Sequence, residues 1–106
     1  MEIKQYSSLK EALDSTMNVD KTYIFVRHAL IRGAVVNPHT HLKASEHIVI
    51  SSGRFTLTVG DETKDFYLDN QPTVISLPAG KPHGMRADSD IDYFVMRDAE
   101  DDTIYS

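Results

Sequence analysis

The chain has 106 residues, which is enough for one domain with a buried core, and we predict a single domain over residues 1–106. It has no cysteine and a net charge of −5 with neutral histidines, which excludes disulfides and thiolate metal sites and disfavours nucleic acid or anionic membranes as partners. No apolar run approaches the roughly 20 residues of a membrane span, and the start of the chain is not typical of a secretory signal, so we expect a cytoplasmic protein.

The predicted elements begin with a short helix over about residues 8–17, inside a helical lead-in of about residues 1–20. Ser8 and Glu11 have the spacing of a capping box, and apolar residues follow at helical spacing. Beyond residue 20, β-branched and aromatic residues occur in short runs bounded by turn signals, which predict strands. These strands cover residues 22–30, 46–51, 55–59, 64–68, 73–77 and about 84–97. The acidic residues of about 98–106 predict a solvated, frayed tail.

Four side chains that commonly bind metals occur at an informative spacing. His39, His41 and Glu46 lie close together, and His83 follows much later. Three imidazoles and one carboxylate suit a divalent transition metal such as iron, manganese, nickel, zinc, cobalt or copper. His39 and His41 share a face of any strand that carries both, whereas Glu46 has the other parity and requires a bend through residues 42–45. We therefore predict one divalent transition metal per chain at these four residues.

The same residues resemble two signatures of the cupin superfamily. The first signature, G-x5-H-x-H-x4-E-x6-G, is matched at every specified position by Gly33, His39, His41, Glu46 and Gly53. The P-x-G-x2-H centre of the second signature is matched by Pro78, Gly80 and His83. The chain departs from the second signature at Pro72 and Ala87, where the family usually has a glycine and an asparagine.

This resemblance implies an all-β fold, a double-stranded β-helix (jelly-roll) barrel of six to ten strands, here with a short N-terminal helix. It also implies that the four candidate ligands point into the barrel and bind one metal ion. The gap of about 18 residues between the signatures resembles that of small, single-domain microbial cupins. Related proteins often pair through their outer sheets, so we expect a homodimer.

A second set of residues is predicted to line the pocket beside the metal. By alternation from His83, Met85 faces inward, although a slip of one residue would reverse such assignments. Glu46 is also a candidate general base. His28 is expected to be a satisfied core or interface histidine, and His47 to serve the surface or sheet packing. The predicted pocket residues are Phe25, Arg27, Tyr67, Met85, Tyr93 and Phe94.

Three functions fit such a site. The first is a small metalloenzyme that acts on a chelating, oxygen-rich small molecule, with dioxygenase-type chemistry favoured over isomerase, epimerase or decarboxylase chemistry. The second is a metal-dependent module that binds or senses a sugar or small acid without catalysis. The third is an interaction protein whose metal only stabilises the barrel. The expected partners are a small-molecule ligand or substrate and a second copy of the chain, not nucleic acid or a membrane.

Overall fold

The computed structural model of the chain describes residues 1–17, 24–99 and 103–105. Within these ranges the chain forms ten β-strands and one α-helix. Their bounds, in chain order, are β1 Glu2–Gln5, α1 Leu9–Met17, β2 Ile24–Leu30, β3 Val35–His41, β4 Glu46–Ile50, β5 Gly53–Val59, β6 Glu62–Leu68, β7 Thr73–Leu77, β8 His83–Ala87, β9 Ile91–Arg97 and β10 Thr103–Tyr105.

The strands form two antiparallel five-stranded sheets. Their strand orders are β1-β7-β4-β9-β2 and β10-β3-β8-β5-β6. Because side chains alternate along a strand, each sheet turns one apolar face towards the other, and these faces form the core. The largest fully buried side chains of this core are Phe55, Ile48, Ile50, Leu57, Ile75 and Leu77. This jelly-roll architecture confirms the predicted all-β fold.

Helix α1 covers the outer face of the first sheet. Its buried Ala12 packs with Val49 and Val74 in a second, smaller apolar cluster. The N-terminus is capped as the sequence predicts, because the backbone N–H of Glu11 donates to the Ser8 hydroxyl over 3.1 Å. No helix in the described part of the chain is long and apolar enough to cross a membrane.

The predicted strand over residues 84–97 is two strands in different sheets. The chain leaves β8 at Ala87 and enters β9 at Ile91. Between them the backbone N–H groups of Asp88 and Ser89 both donate to the carbonyl oxygen of Arg54, at 2.9 and 3.1 Å. The short polar turn is therefore held by β5, and the chain crosses from one sheet to the other at this point.

Both ends of the described chain carry edge strands where the sequence predicts none. β1 pairs with β7 over Glu2–Gln5, within the predicted helical lead-in. β10 pairs with β3 over Thr103–Tyr105, within the predicted acidic tail. The predicted strand over residues 22–30 is present from Ile24 onward. Residues 22–23 of this strand, and residues 100–102 and 106 of the predicted tail, lie outside the described residues.

Candidate metal centre

Strands from both sheets carry the four candidate ligands. His39 and His41 lie on β3 and His83 begins β8 in one sheet, whereas Glu46 begins β4 in the other. β3 ends at His41 and β4 begins at Glu46, so the chain bends between them as their parity requires. A register shift in β3 between Val36 and His39 sets His39 directly opposite His83.

These side chains form one buried cluster. One candidate ligand nitrogen from each of His39, His41 and His83 lies within 4.8 Å of the other two. The Glu46 carboxylate places Oε1 3.4 Å from His41 Nε2 and Oε2 3.2 Å from His83 Nε2. All four side chains are buried. Three converging imidazoles suit a divalent transition metal, so the cluster could hold one ion, and the adjacent carboxylate is of the type that completes such a donor set.

Hydrogen bonds orient two of the imidazoles. His39 Nδ1 lies 2.9 Å from the carbonyl oxygen of Asn37, which can only accept, so Nδ1 donates and Nε2 carries the lone pair. His41 Nδ1 lies 3.0 Å from the hydroxyl of Thr103 on β10. Both ring nitrogens of His83 are buried, and neither forms a hydrogen bond within the described part of the chain. A metal ion would satisfy the His83 nitrogen that faces Glu46, so the residues present fit the ion.

The protonation states also suit a cation. Burial raises the pKa of Glu46, but His41, His83 and the guanidinium of Arg97 offset this effect and hold that pKa well below its ordinary value. Burial lowers the pKa of His39, so its imidazole is neutral at pH 7. An ionised carboxylate and a neutral imidazole are the forms in which these groups bind metals.

Arg97 belongs to the site although the sequence reasoning did not include it. Its Nε donates to Glu46 Oε1 over 2.9 Å, and both side chains are largely buried. Arg97 ends β9, four residues after Tyr93. Because alternate residues of a strand share a face, the inward assignment of Tyr93 also places Arg97 inside. The sequence therefore contained the signal for this residue.

A cavity of about 220 Å³ opens beside the cluster. Met85 and Tyr93, two of the predicted pocket residues, lie in its wall. Burial, and to a smaller extent the charge of Glu46, raises the pKa of Tyr93 to about 12, so its phenol is neutral at pH 7. The walls are mainly apolar, and the other lining residues besides the candidate ligands are His28, Leu30, Val36, Ile48, Leu57, Gly84, Val95, Arg97 and Tyr105.

The structure corrects the pocket prediction for four residues, which lie outside this cavity: Phe25, Arg27, Tyr67 and Phe94. Phe94 has the opposite parity to Tyr93 and stacks on Phe25 on the outer face, with ring centroids 5.5 Å apart. Arg27 pairs there with Asp92 over 3.0 Å. Tyr67 on β6 is 75% exposed. The error is one of strand phase, because a shift of one residue reverses every assignment on a strand.

The two remaining histidines, His28 and His47, lie in different surroundings. His28 lies in the cavity wall on the edge strand β2, with its ring centroid 5.5 Å from that of Tyr93, and it is exposed rather than part of the core. His47 is half-buried, and its Nδ1 lies 2.7 Å from the hydroxyl of Ser76, its partner on β7. His47 therefore joins two strands of one sheet, as expected for a packing role.

Neither a protein-family model nor a curated protein sequence matches the chain. Several solved structures, however, are similar to this chain. The capsular polysaccharide assembling protein CapF from Staphylococcus aureus matches with a TM-score of 0.67 and 18% identity, over 81% of this chain and 26% of CapF. Salicylate 1,2-dioxygenase from Pseudoaminobacter salicylatoxidans matches with a TM-score of 0.64 and 17% identity, over 91% of this chain and 24% of the dioxygenase.

A third match covers most of both proteins. A predicted oxalate decarboxylase from Thermotoga maritima has a TM-score of 0.64 and 19% identity, over 93% of this chain and 80% of the other. By contrast, this chain spans only about a quarter of the length of CapF and of the dioxygenase. Similarity at such identities concerns the fold alone.

Proposed function

We propose, from the premise that this chain has the cupin fold, that it is a mononuclear metal-dependent enzyme acting on a small, oxygen-rich molecule that chelates the metal. The observation that carries this proposal is the buried cluster of His39, His41 and His83 beside the ionised Glu46, at the wall of a cavity. Buried ionisable groups with shifted pKa values in a cavity are typical of functional sites.

In this proposal His39, His41, His83 and Glu46 hold the ion. A bound divalent ion supplies Lewis acidity and, if it is redox-active, reactivity towards dioxygen. The low pKa of Glu46 makes its carboxylate a weak base at neutral pH. We therefore assign Glu46 as a ligand rather than as the general base that the sequence suggested.

The chain's other residues would bind the substrate and exclude water. The mainly apolar wall would favour the release of water when a substrate fills the cavity, which strengthens polar interactions inside it. The neutral phenol of Tyr93 can donate a hydrogen bond to a substrate oxygen. The guanidinium of Arg97 adds positive charge near the ligands, which favours an anionic substrate.

The size of the cavity favours a small acid as substrate. Its volume of about 220 Å³ lies below the roughly 300–1,000 Å³ of sites for drug-sized ligands. Two structural neighbours are named for the small acids salicylate and oxalate, which supports this class. Dioxygenase-type chemistry remains the favoured reaction, with decarboxylation or isomerisation as alternatives.

The first experiment is elemental analysis of protein purified without chelator, followed by oxygen-electrode assays with small chelating acids. We expect about one first-row metal ion per chain and oxygen consumption that depends on substrate. Turnover without oxygen consumption would indicate a decarboxylase or isomerase. Ligand-induced stabilisation without any turnover would indicate a binding module.

The ligand assignment predicts the behaviour of His83→Ala. Removing this imidazole should lower metal affinity more than tenfold, because a direct ligand is lost and its substitute cannot coordinate. Titration with zinc after removal of bound metal measures the affinity. His47→Gln is the matched control, since His47 lies outside the cluster and should leave metal binding unchanged. A zinc affinity of His83→Ala equal to that of the parent chain would refute the assignment.

A further inference from the structure

We infer that strand β10 completes the candidate metal centre, with Thr103 as the positioning residue that holds the His41 imidazole for metal binding. This inference rests on the proposed function, since it concerns the same four ligands. It assigns a role to a segment that the sequence predicts to be a frayed tail.

The pairing of β10 places two of its side chains at the cluster. Thr103 lies opposite His41 and Tyr105 lies opposite His39 in the register of β10 against β3. Alternation then turns Ile104 to the other face, and both Ile104 and Tyr105 keep large exposed fractions, 51% and 76%. One face of β10 is therefore matched, residue by residue, to the two ligands of β3.

Contacts follow this register. The Thr103 hydroxyl lies 3.0 Å from His41 Nδ1. The Tyr105 ring lies 5.8 Å from the His39 ring, centroid to centroid, and forms part of the cavity wall. His41 itself is buried, so water has little access to replace the threonine. The orientation of the His41 ring thus depends on a residue of an edge strand.

The chemistry of a hydroxyl suits this position. When Nε2 of a histidine binds a metal, Nδ1 must carry the proton and needs an acceptor. The Thr103 oxygen can accept that proton's hydrogen bond. A hydroxyl can also donate, so it can hold the other tautomer while His41 Nε2 faces the Glu46 carboxylate, 3.4 Å away. The Asn37 carbonyl at His39 lacks this second ability, because it only accepts.

Isosteric variants test the role of the hydroxyl. Thr103→Val keeps the shape and the strand propensity but removes the acceptor, and we expect zinc affinity to fall about 10- to 100-fold. Thr103→Ser restores the hydroxyl and should bind zinc within about threefold of the parent chain. The matched control is Thr63→Val on β6, the opposite edge of the same sheet, which removes a 3.3 Å hydroxyl contact with Thr58 but should leave zinc affinity unchanged.

A spectroscopic readout separates positioning from general support of the fold. In the zinc-loaded parent chain, proton NMR should show the His41 Nδ1–H as a slowly exchanging signal, and that exchange should accelerate in Thr103→Val. This measurement on the parent chain needs no variant to fold. A rapidly exchanging proton there would overturn the inference.

The outcomes distinguish the two proposals. If the parent chain binds no metal at all, both the proposed function and this inference fail. If the parent chain binds zinc but Thr103→Val binds it equally well, with unchanged proton exchange, the inference fails and the proposed function stands. Loss of affinity in Thr103→Val with recovery in Thr103→Ser supports both.

Discussion

Gly53 illustrates at the scale of one residue what the spacing of the first signature reflects. Its φ angle is +120°, in a region that L side chains rarely adopt. A Cβ atom at this position would lie 2.5 Å from Cγ2 of Ile91 on β9, far inside van der Waals contact. Glycine is therefore required by both backbone conformation and close packing, and no ligand contact is needed to explain it.

Gly53→Ala should destabilise the chain by about 2–5 kcal/mol, since the strained φ costs about 1–2 kcal/mol and the overpacked contact about 1–3 kcal/mol. Urea denaturation at fixed metal content measures the loss. Gly33→Ala is the control, because Gly33 also has a positive φ but no atom lies within 4 Å of its Cβ position. The control should lose only the backbone part, about 1–2 kcal/mol. Equal losses in the two variants would contradict the packing argument.

At the scale of the element, β6 shows how alternation separates core from surface. Phe66 is 8% exposed and stacks on Phe55, with ring centroids 4.7 Å apart, whereas its neighbour Tyr67 is 75% exposed. Tyr67 has the polarity and size of a pocket residue, and the sequence reasoning placed it in the pocket. The strand phase, set by pairing with β5, turns it outward instead.

The two neighbours on β6 should respond differently to truncation. Phe66→Ala should cost about 3–5 kcal/mol of unfolding free energy, the usual range for a buried phenylalanine. Tyr67→Ala should change stability by less than about 1 kcal/mol and leave ligand binding intact, because it lies outside the cavity. Thermal or urea unfolding of both variants gives the comparison. A loss of affinity for a small chelating acid in Tyr67→Ala would show that Tyr67 contributes to the binding pocket.

At the scale of the whole molecule, the candidate centre joins the two sheets. Three imidazoles come from one sheet and the Glu46 carboxylate from the other, so a bound ion would link them. Any ligand that binds only the folded state raises its stability. Metal removal should therefore lower the stability of the entire barrel rather than that of one loop. The expected homodimer stays a prediction, which sedimentation can measure.

The stability of the metal-free chain should fall as the pH is lowered from 7.5 to 5.5. Burial lowers the pKa of His39 and of His47 below the ordinary value of 6.5. Below that value the unfolded chain binds more protons at these residues than the folded chain does, so acid favours unfolding. Urea denaturation of chelator-treated protein at several pH values measures the effect.

His47→Gln provides the control for this pH dependence. The variant lacks one of the two shifted histidines, so its free energy of unfolding should change less between pH 7.5 and 5.5. A metal-free chain that is as stable at pH 5.5 as at pH 7.5 would contradict this prediction.

Local pattern predicted much of the molecule because its signals are short in range. The capping residues Ser8 and Glu11 predicted the helix, and alternation predicted most strands. The parity difference between His41 and Glu46 predicted the bend between β3 and β4. Alternation also places Tyr93 and Arg97 on the same face of β9, so the same argument predicts an inward position for Arg97.

The sequence by itself determined the residue types of the candidate centre, their strand parity and the barrel that the cupin signatures imply. Only the tertiary structure decided the face of Phe94, the split between β8 and β9, and the place of Thr103 beside His41. These features depend on which distant strands pair and in what register. A strand of three residues such as β10 has no periodicity to read, so its position is settled by the edge of β3 against which it pairs.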